Sequence, residues 1–317
     1  MPLHLDYRPE SFKEFYGNES VIKSLKAILK RDDLPHAWLF EGPFGCGKTT
    51  LAYILSKELN CDLKSTDFKE INCGSHGKID TVREIEKQAM YRPAESKHKV
   101  FLLDEAQALG TGGNSERNMP QRALLKILEQ APDHVHIILC TTNSGMLLDA
   151  IRSRCTTFKL EKLSDKKMKA LIASVLREEE VGDFTTDALE ALLEAADGHP
   201  RDALRILDQV IDLEPDSVID AISGFKSFES SVYDLFWALF KRNSWVSISG
   251  MLKDIEKQAP NAEEVRRHIN NLAKKMILKE KGGEKTDRYM DIFEVFRKPV
   301  YDNGFTEIVF NCYEVTA

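Results

Sequence analysis

Along the first half of the chain, short apolar runs alternate with segments whose apolar residues recur every three or four positions. The runs AWLF (37–40), FKEIN (68–72), KVFLLD (99–104), VHIILCT (135–141) and TTFKL (156–160) predict strands. Between them, KTTLAYILSKEL (48–59), KIDTVREIEKQAM (78–90), MPQRALLKILEQ (119–130) and SGMLLDAIR (144–152) predict helices. This alternation predicts an α/β domain with a parallel sheet over residues 1–161. Beyond it the strand pattern stops. LSDKKMKALIASVLREEE, TTDALEALLEAA and PRDALRILDQVIDL predict a small three-helix domain over 162–224, with Ser164 as the first N-cap. Residues 225–317 predict a further all-helical domain, with stripes such as VYDLFWALF and VRRHINNLAKKMIL. GTGGNSERNMP (110–120) and KEKGGEKTD (279–287) read as loops, and no internal repeat is found.

Composition narrows the class without naming a function. At 317 residues the chain exceeds one ordinary core, and 42% hydrophobic with 30% charged residues is a soluble profile. No apolar run approaches the roughly 20 residues that cross a bilayer, so no membrane partner is expected. MPLHLDYRPESF lacks the basic-then-apolar layout of a signal peptide. Cys46, Cys61, Cys73, Cys140, Cys155 and Cys312 show no CxxC pair and no zinc spacing. They read as reduced thiols of a cytosolic or nuclear compartment, and a cytoplasmic location is expected for the chain as a whole. A formal charge of −7 gives no global attraction to nucleic acid, so any such contact needs a local basic surface.

The chemistry concentrates at strand ends. GPFGCGKTT (42–50) matches G-x-x-x-x-G-K-[ST] in full, after an apolar strand and at the start of an amphipathic helix. Gly42, Gly45 and Gly47 permit the tight path whose amides surround phosphates. Lys48 supplies a charge to the β- and γ-phosphates of a nucleotide, and Thr49 a hydroxyl to Mg²⁺. Cys46 and Thr50 complete the loop, with no chemistry assigned to the thiol. Asp104 and Glu105 close the next strand, where ligands of parallel sheets bind. Asp104 is expected to hold the metal through water and Glu105 to polarise an attacking water. Asn143 ends another strand, where its amide either orients that water or reads the γ-phosphate, or serves turn chemistry. His134 and His136 read as a strand edge, not as metal ligands.

Together these residues resemble the AAA+ ATPases, and more narrowly the clamp-loader subunits of DNA replication, from residue 6 to about 210. DYRPESFKEFYGNESV is similar to the family's opening segment, which implies Leu5, Tyr7, Arg8, Pro9, Tyr16 and Gly17 on the base side of the ATP pocket. ALLKILEQAPDHVHIILCTTN resembles the signature helix and strand. GHPRDAL resembles the lid sensor, which implies that Arg201 reaches the γ-phosphate of its own subunit. In AIRSRCTT (150–157), the SRC motif (Ser153, Arg154, Cys155) implies that Arg154 acts in trans on a neighbour's ATP; Arg152 has no such match.

The resemblance also implies that the helix opening at SHGKIDTVREIEKQ tracks duplex phosphates through Ser75, His76, Lys78, Thr81, Arg83 and Lys87. Asp80, Glu84 and Glu86 interleave with these, so an ordinary solvated face stays open. Gln121 and Lys126 match positions that couple DNA sensing to the catalytic glutamate, or are plain helix-surface residues. No zinc cluster follows the phosphate loop, and GSHGKIDTVREI is nearer the small-subunit type of replication factor C, phage or archaeal. The implied function is an ATPase subunit that opens a sliding clamp and loads it onto primer–template DNA. Its implied partners are other loader subunits in a pentameric ring with a distinct large subunit, joined by the 225–317 collar. Another AAA+ motor, such as a branch-migration helicase, and a non-catalytic ATP-binding scaffold are the alternatives.

Overall fold

The computed structural model describes residues 2–76, 79–109, 119–182, 184–223, 228–259, 262–280, 282–300 and 304–316. The chain divides into two compact units, Met1–Ile219 and Asp220–Ala317.

The first unit holds five strands: β1 (Ala37–Glu41), β2 (Phe68–Asn72), β3 (Lys99–Asp104), β4 (Val135–Thr141) and β5 (Thr156–Lys159). Their order is β2-β3-β4-β1-β5, and every pairing is parallel. Because side chains alternate across a strand, even-numbered Trp38, Phe40, Val100, Leu102, Ile138 and Cys140 enter one core. Odd-numbered Leu39, Phe101, Leu103, Ile137 and Leu139 enter the other. Burial on both faces explains why these strands read as continuous apolar runs. On the even face lie α2 (Glu19–Ile28) and α3 (Lys48–Glu58), through Leu25, Ile28, Leu51 and Leu55. The odd face is covered by α5 (Ile79–Ala89), α6 (Met119–Gln130) and α7 (Asp149–Arg152), through Val82, Ile85, Leu124, Ile127 and Ile151. Two short helices, α1 (Leu3–Asp6) and α4 (Cys73–His76), complete this part.

Three helices follow: α8 (Asp165–Glu178), α9 (Thr186–Ala196) and α10 (Pro200–Val210). Ser164 occupies the N-cap of α8, but its hydroxyl makes no capping bond; Thr185 does cap α9, accepting from Ala188 N–H at 3.1 Å. The helix expected over 144–152 is broken. Residues Ser144–Met146 form a 3₁₀ turn, Leu147 and Leu148 are extended, and only then does α7 begin. The cause is a tertiary contact: Leu148 N–H donates to Gln121 Oε1 of α6 at 2.8 Å and not to the Ser144 carbonyl. His136 is no strand-edge residue. It lies on β4, the middle strand, 1% exposed, with its ring against His36, His98 and Trp38.

After α11 (Pro215–Ser223), the second unit contains α12 (Phe228–Phe240), α13 (Trp245–Gln258), α14 (Ala262–Ile277), α15 (Glu284–Val295) and α16 (Phe305–Thr316). Leu235, Phe236, Ile255, Ile269, Ile292 and Ile308 form its core. Arg288 donates to Leu239 O at 2.7 Å and Val315 O at 2.8 Å, satisfying carbonyls at the ends of two helices. Among the described residues, no helix is long and apolar enough to cross a membrane.

Candidate nucleotide site

The strand order brings the motifs together. β4 sits between β1 and β3, so the loops that leave these three strands are neighbours at the carboxyl end of the sheet. The loop after β1 turns through Gly45 at φ +72° and Gly47 at φ +96°, values that β-carbon-bearing residues rarely adopt. A β-carbon at Gly47 would also meet Phe15 Cζ at 2.9 Å. The loop then enters α3, whose first amides are free to face an anion. Lys48 is buried, and its ammonium donates to Gly42 O at 2.9 Å and Pro43 O at 2.6 Å. Cys46 is buried and its pKa raised, chiefly by burial, consistent with a packing role.

Thr49 Oγ1 donates to Asp104 Oδ2 at 2.8 Å, which ties the phosphate loop to the end of β3. One hydroxyl and one carboxylate oxygen side by side suit Mg²⁺, which takes few protein oxygens and keeps waters or phosphates in its other positions. The other Asp104 oxygen accepts from Glu105 N–H at 2.9 Å. Glu105 stands at φ +52°, a left-handed conformation, and is exposed. A β-carbon at Gly74 would lie 2.6 Å from Glu105 Oε2 and 3.0 Å from Asn72 Oδ1. The Glu105 carboxylate therefore sits beside the end of β2 and the start of α4. Sequence reasoning missed Asn72 and Gly74; only the strand-end position of Asn72 hinted at it.

Asn143 Oδ1 accepts from Gly145 N–H at 3.1 Å, so in this structure its side chain caps a turn. Gln107, also absent from the sequence expectations, accepts from Thr141 Oγ1 at 2.8 Å and Thr142 N–H at 3.3 Å, linking the ends of β3 and β4. On the lid side, α10 starts against the phosphate loop. A β-carbon at Gly45 would lie 3.6 Å from His199 Cβ and 3.8 Å from Arg201 Cβ, and the Arg201 guanidinium lies 5.5 Å from the Phe44 ring centre.

The opening segment runs along the lid helices. Leu3 N–H donates to Asp208 on α10 at 3.1 Å, and Tyr16 OH to Ser174 on α8 at 3.1 Å. Tyr7 OH donates to Glu179 at 2.6 Å, and that carboxylate pushes the phenol pKa up to about 12. Gly17 is required: at φ +71°, a β-carbon there would meet Leu163 Cδ2 at 2.4 Å. Leu5 is exposed on α1, beside Tyr7 and Pro9 in the chain. Arg8 lies over the Tyr53 ring of α3 at 4.9 Å, and Tyr53 OH bonds Glu70 at 2.6 Å.

On α5, Arg83 and Lys87 are exposed on one face and Thr81 is half-buried; Arg83 has Asp80 at 3.4 Å. Lys78 and the side chains of Ser75 and His76 lie outside the described residues. Gln121 is not a surface residue. It is 3% exposed, and its amide donates to Leu109 O at 2.8 Å and Met146 O at 3.1 Å. Lys126 is ion-paired with Glu86, which joins α6 to α5. Arg154 is ion-paired with Glu129 of α6 and donates to Ala150 O at 2.8 Å; Arg152 pairs with Asp149. Among the described residues, no cluster of three or more His, Cys, Asp or Glu could hold a metal, and the six cysteines are free.

Two families match parts of the chain: "DNA polymerase III, delta subunit" over residues 66–164 and "Holliday junction DNA helicase RuvB P-loop domain" over residues 7–84. The gamma/tau subunit of DNA polymerase III from Mycobacterium tuberculosis H37Rv is 36% identical over 67% of this chain and 39% of its own length. The gamma subunit from Buchnera aphidicola of Schizaphis graminum is 32% identical over 67% of this chain and 61% of its own length. The Escherichia coli K12 tau subunit is 34% identical over 65% and 34%. The chain thus spans less than two thirds of the length of each. Among solved structures, the Thermotoga maritima RuvB Holliday junction branch migration motor superposes with a TM-score of 0.57 at 24% identity, over 74% of this chain and 79% of that one. The chain has the P-loop AAA+ fold, and its homologues include the gamma and tau subunits of DNA polymerase III.

Proposed function

We propose that the chain is an ATPase subunit of a sliding-clamp loader, active in an assembly with other loader subunits. The observation that carries this reading is the meeting of three strand ends with the lid. Lys48, Thr49 with Asp104, and Glu105 line one side, and Arg201 approaches from α10 on the other. ATP bound there would supply the γ-phosphoryl group, and Mg²⁺, held by Thr49 and through water by Asp104, would offset its charge. Lys48 then has phosphate oxygens to exchange for its two loop carbonyls. Glu105 has a carboxylate free to take a proton from water, and the Asn143 amide helps to orient that water. Leu5, Tyr7, Arg8, Pro9, Tyr16 and Gly17 serve the base side.

Arg154 supports the need for a neighbour. Its partners are Glu129 and Ala150, which leaves Arg201 to serve the chain's own phosphate loop. Contact of Glu105 with the start of α4 supports DNA responsiveness, because the DNA-side residues Ser75 to Lys87 begin there. Gln121 and Lys126 couple the same elements, through Leu109 and Glu86 respectively. The lack of a zinc cysteine cluster after the phosphate loop, together with GSHGKIDTVREI, supports the small-subunit type of replication factor C, phage or archaeal; a cytoplasmic, pentameric ring is part of that proposal. Only helices occur among the described residues of 220–317, where a helicase winged domain would need a β-hairpin.

The test is ATP turnover by the assembled subunits, with and without primer–template DNA and cognate clamp. Stimulation by both is expected, and charge reversal at Lys78 and Arg83 should remove the DNA part while ATP binding persists. Indifference to both ligands would sink the loader reading.

A further inference from the structure

The register between β3 and β4 runs from Lys99–Val135 to Leu103–Leu139 and ends there. Glu105 leaves one strand just past this point, and Asn143 leaves the other. Two glutamine side chains bond across the gap. Gln121 does so at Leu109, Met146 and Leu148, several residues beyond Glu105 and Asn143 along each loop. Gln107 does so beside them. It lies on the 3₁₀ turn Ala106–Ala108, which Ala108 N–H closes by donating to Glu105 O at 2.8 Å. Its side-chain oxygen accepts from Thr141 Oγ1 at 2.8 Å and from Thr142 N–H at 3.3 Å.

The donors and acceptors of this bridge have one consistent assignment. Asn143 N–H donates to Thr141 Oγ1 at 3.0 Å, so the threonine hydroxyl accepts there and has its own proton to give. Gln107 receives it. The Thr142 amide meets the same Gln107 atom, which is therefore the carbonyl oxygen and not the NH₂ group. Thr141 is fully buried, and a buried polar group left without a partner costs more than an exposed one. The same residue reaches the phosphate loop. Its carbonyl accepts from Gly42 N–H at 3.2 Å, and the Gly42 carbonyl accepts from the Lys48 ammonium at 2.9 Å. A continuous path of bonds thus runs from Lys48 through Gly42, Thr141 and Gln107 to the turn that carries Glu105, with a branch to Asn143.

We propose, resting on the roles given above to Glu105 and Asn143, that Gln107 and Thr141 are positioning residues. The bond from the Thr141 hydroxyl to Gln107 holds the Glu105 turn and the Asn143 turn in one register across the site where water attacks. Both residues act through Glu105 and Asn143.

The test compares Thr141→Val, Thr141→Ser, Gln107→Met and the double variant Gln107→Met/Thr141→Val with the parent, in the assembled subunits and with Glu105→Gln alongside. Single-turnover ATP hydrolysis, binding of a fluorescent ATP analogue and melting temperature are read for each. Thr141→Val and Gln107→Met keep the approximate shape of the side chain and remove the bond. Each should slow hydrolysis at least roughly tenfold, where a misplacement of about 1 Å costs about a hundredfold. Affinity for the analogue should stay within about twofold, because the loss falls on the rate alone. Thr141→Ser keeps the hydroxyl and should restore most of the rate. The double variant should lose no more than the larger single loss, because both changes break one bridge. Losses that multiply overturn the proposal, as does Thr141→Ser being as slow as Thr141→Val. So does a fall in affinity or melting temperature that accounts for the fall in rate. Should Thr141→Val not fold, the half-buried Gln107→Met decides alone, and the parent rate there overturns the proposal. The parent rate in Glu105→Gln would remove the role of Glu105 and the proposal with it. Loss in Glu105→Gln beside a parent-like Gln107→Met would remove the proposal only.

Discussion

Arg154→Ala separates two energies carried by one side chain. In the structure the guanidinium is ion-paired with Glu129 and donates to Ala150 O, with the two side chains 37% and 45% exposed. A pair so open to water contributes about 0.2–1 kcal/mol. Removing it should leave the melting temperature of the chain within a few degrees. An arginine aimed at the transition state of a neighbour's γ-phosphate contributes far more, roughly 10³–10⁵ in rate, or about 4–7 kcal/mol. The expected result in the assembled ring is therefore loss of hydrolysis by roughly a thousandfold or more, with unchanged stability and unchanged binding of a fluorescent ATP analogue. Glu129→Gln is the companion variant. It removes only the intrachain ion pair, so with about 1 kcal/mol at stake turnover should change no more than about fivefold. Arg152→Ala should do little, since Arg152 pairs with an aspartate that is 91% exposed. Equal losses in Arg154→Ala and Glu129→Gln would refute the reasoning, because both would then report one intrachain contact. So would a fall in ATP affinity that tracks the fall in rate.

Glu105→Gln should retain ATP and Mg²⁺ binding yet lose at least roughly 10²-fold in single-turnover hydrolysis; turnover at the parent rate would remove the water-polarising role. Acid should destabilise the first unit through His136. Burial chiefly, with His98 and His36 adding to it against the Pro35 carbonyl, lowers the ring's pKa from 6.5 to about 4. The unfolded chain therefore binds a proton first, so this stability is whole above pH 6.5 and falls away between pH 6.5 and 4. The full loss is about 3 kcal/mol, and about 2 kcal/mol of it appears by pH 5. Urea unfolding of the parent chain and of His136→Phe should diverge in slope across that window and run parallel above it. Parallel lines throughout would mean that the ring is not held neutral by burial.

The three central strands β1, β3 and β4 were legible because they are parallel and buried on both faces, which writes them as near-continuous apolar runs. The edge strands β2 and β5 were legible from their mixed, β-rich runs between helices. The phosphate loop was legible because its geometry demands glycine at Gly45 and Gly47 and a helix immediately after. What escaped depends on contacts between distant segments. The break at Leu147 and Leu148 arises from Gln121, more than twenty positions earlier in the chain. The place of His136 depends on strand order, since the same alternating pattern would fit an edge strand. Asn72 and Gly74 enter the site only because β2 pairs with β3, which brings Asn72 into register with Asp104. Helix α2 was missed although ESVIKSLKAI carries the helical spacing in its buried Val21, Ile22, Leu25 and Ile28.

The Gln121 side chain also sets how the site can loosen. Its three bonds reach Leu109 O behind β3, and Met146 O and Leu148 N–H behind β4. Neither loop can swing out without stripping the buried Gln121 carboxamide of at least one partner. Opening of either loop is therefore coupled to the other through this one side chain. The Leu148 amide should exchange with solvent hydrogen at the pace of that joint excursion, which makes it a local clock for the breathing of the whole catalytic edge.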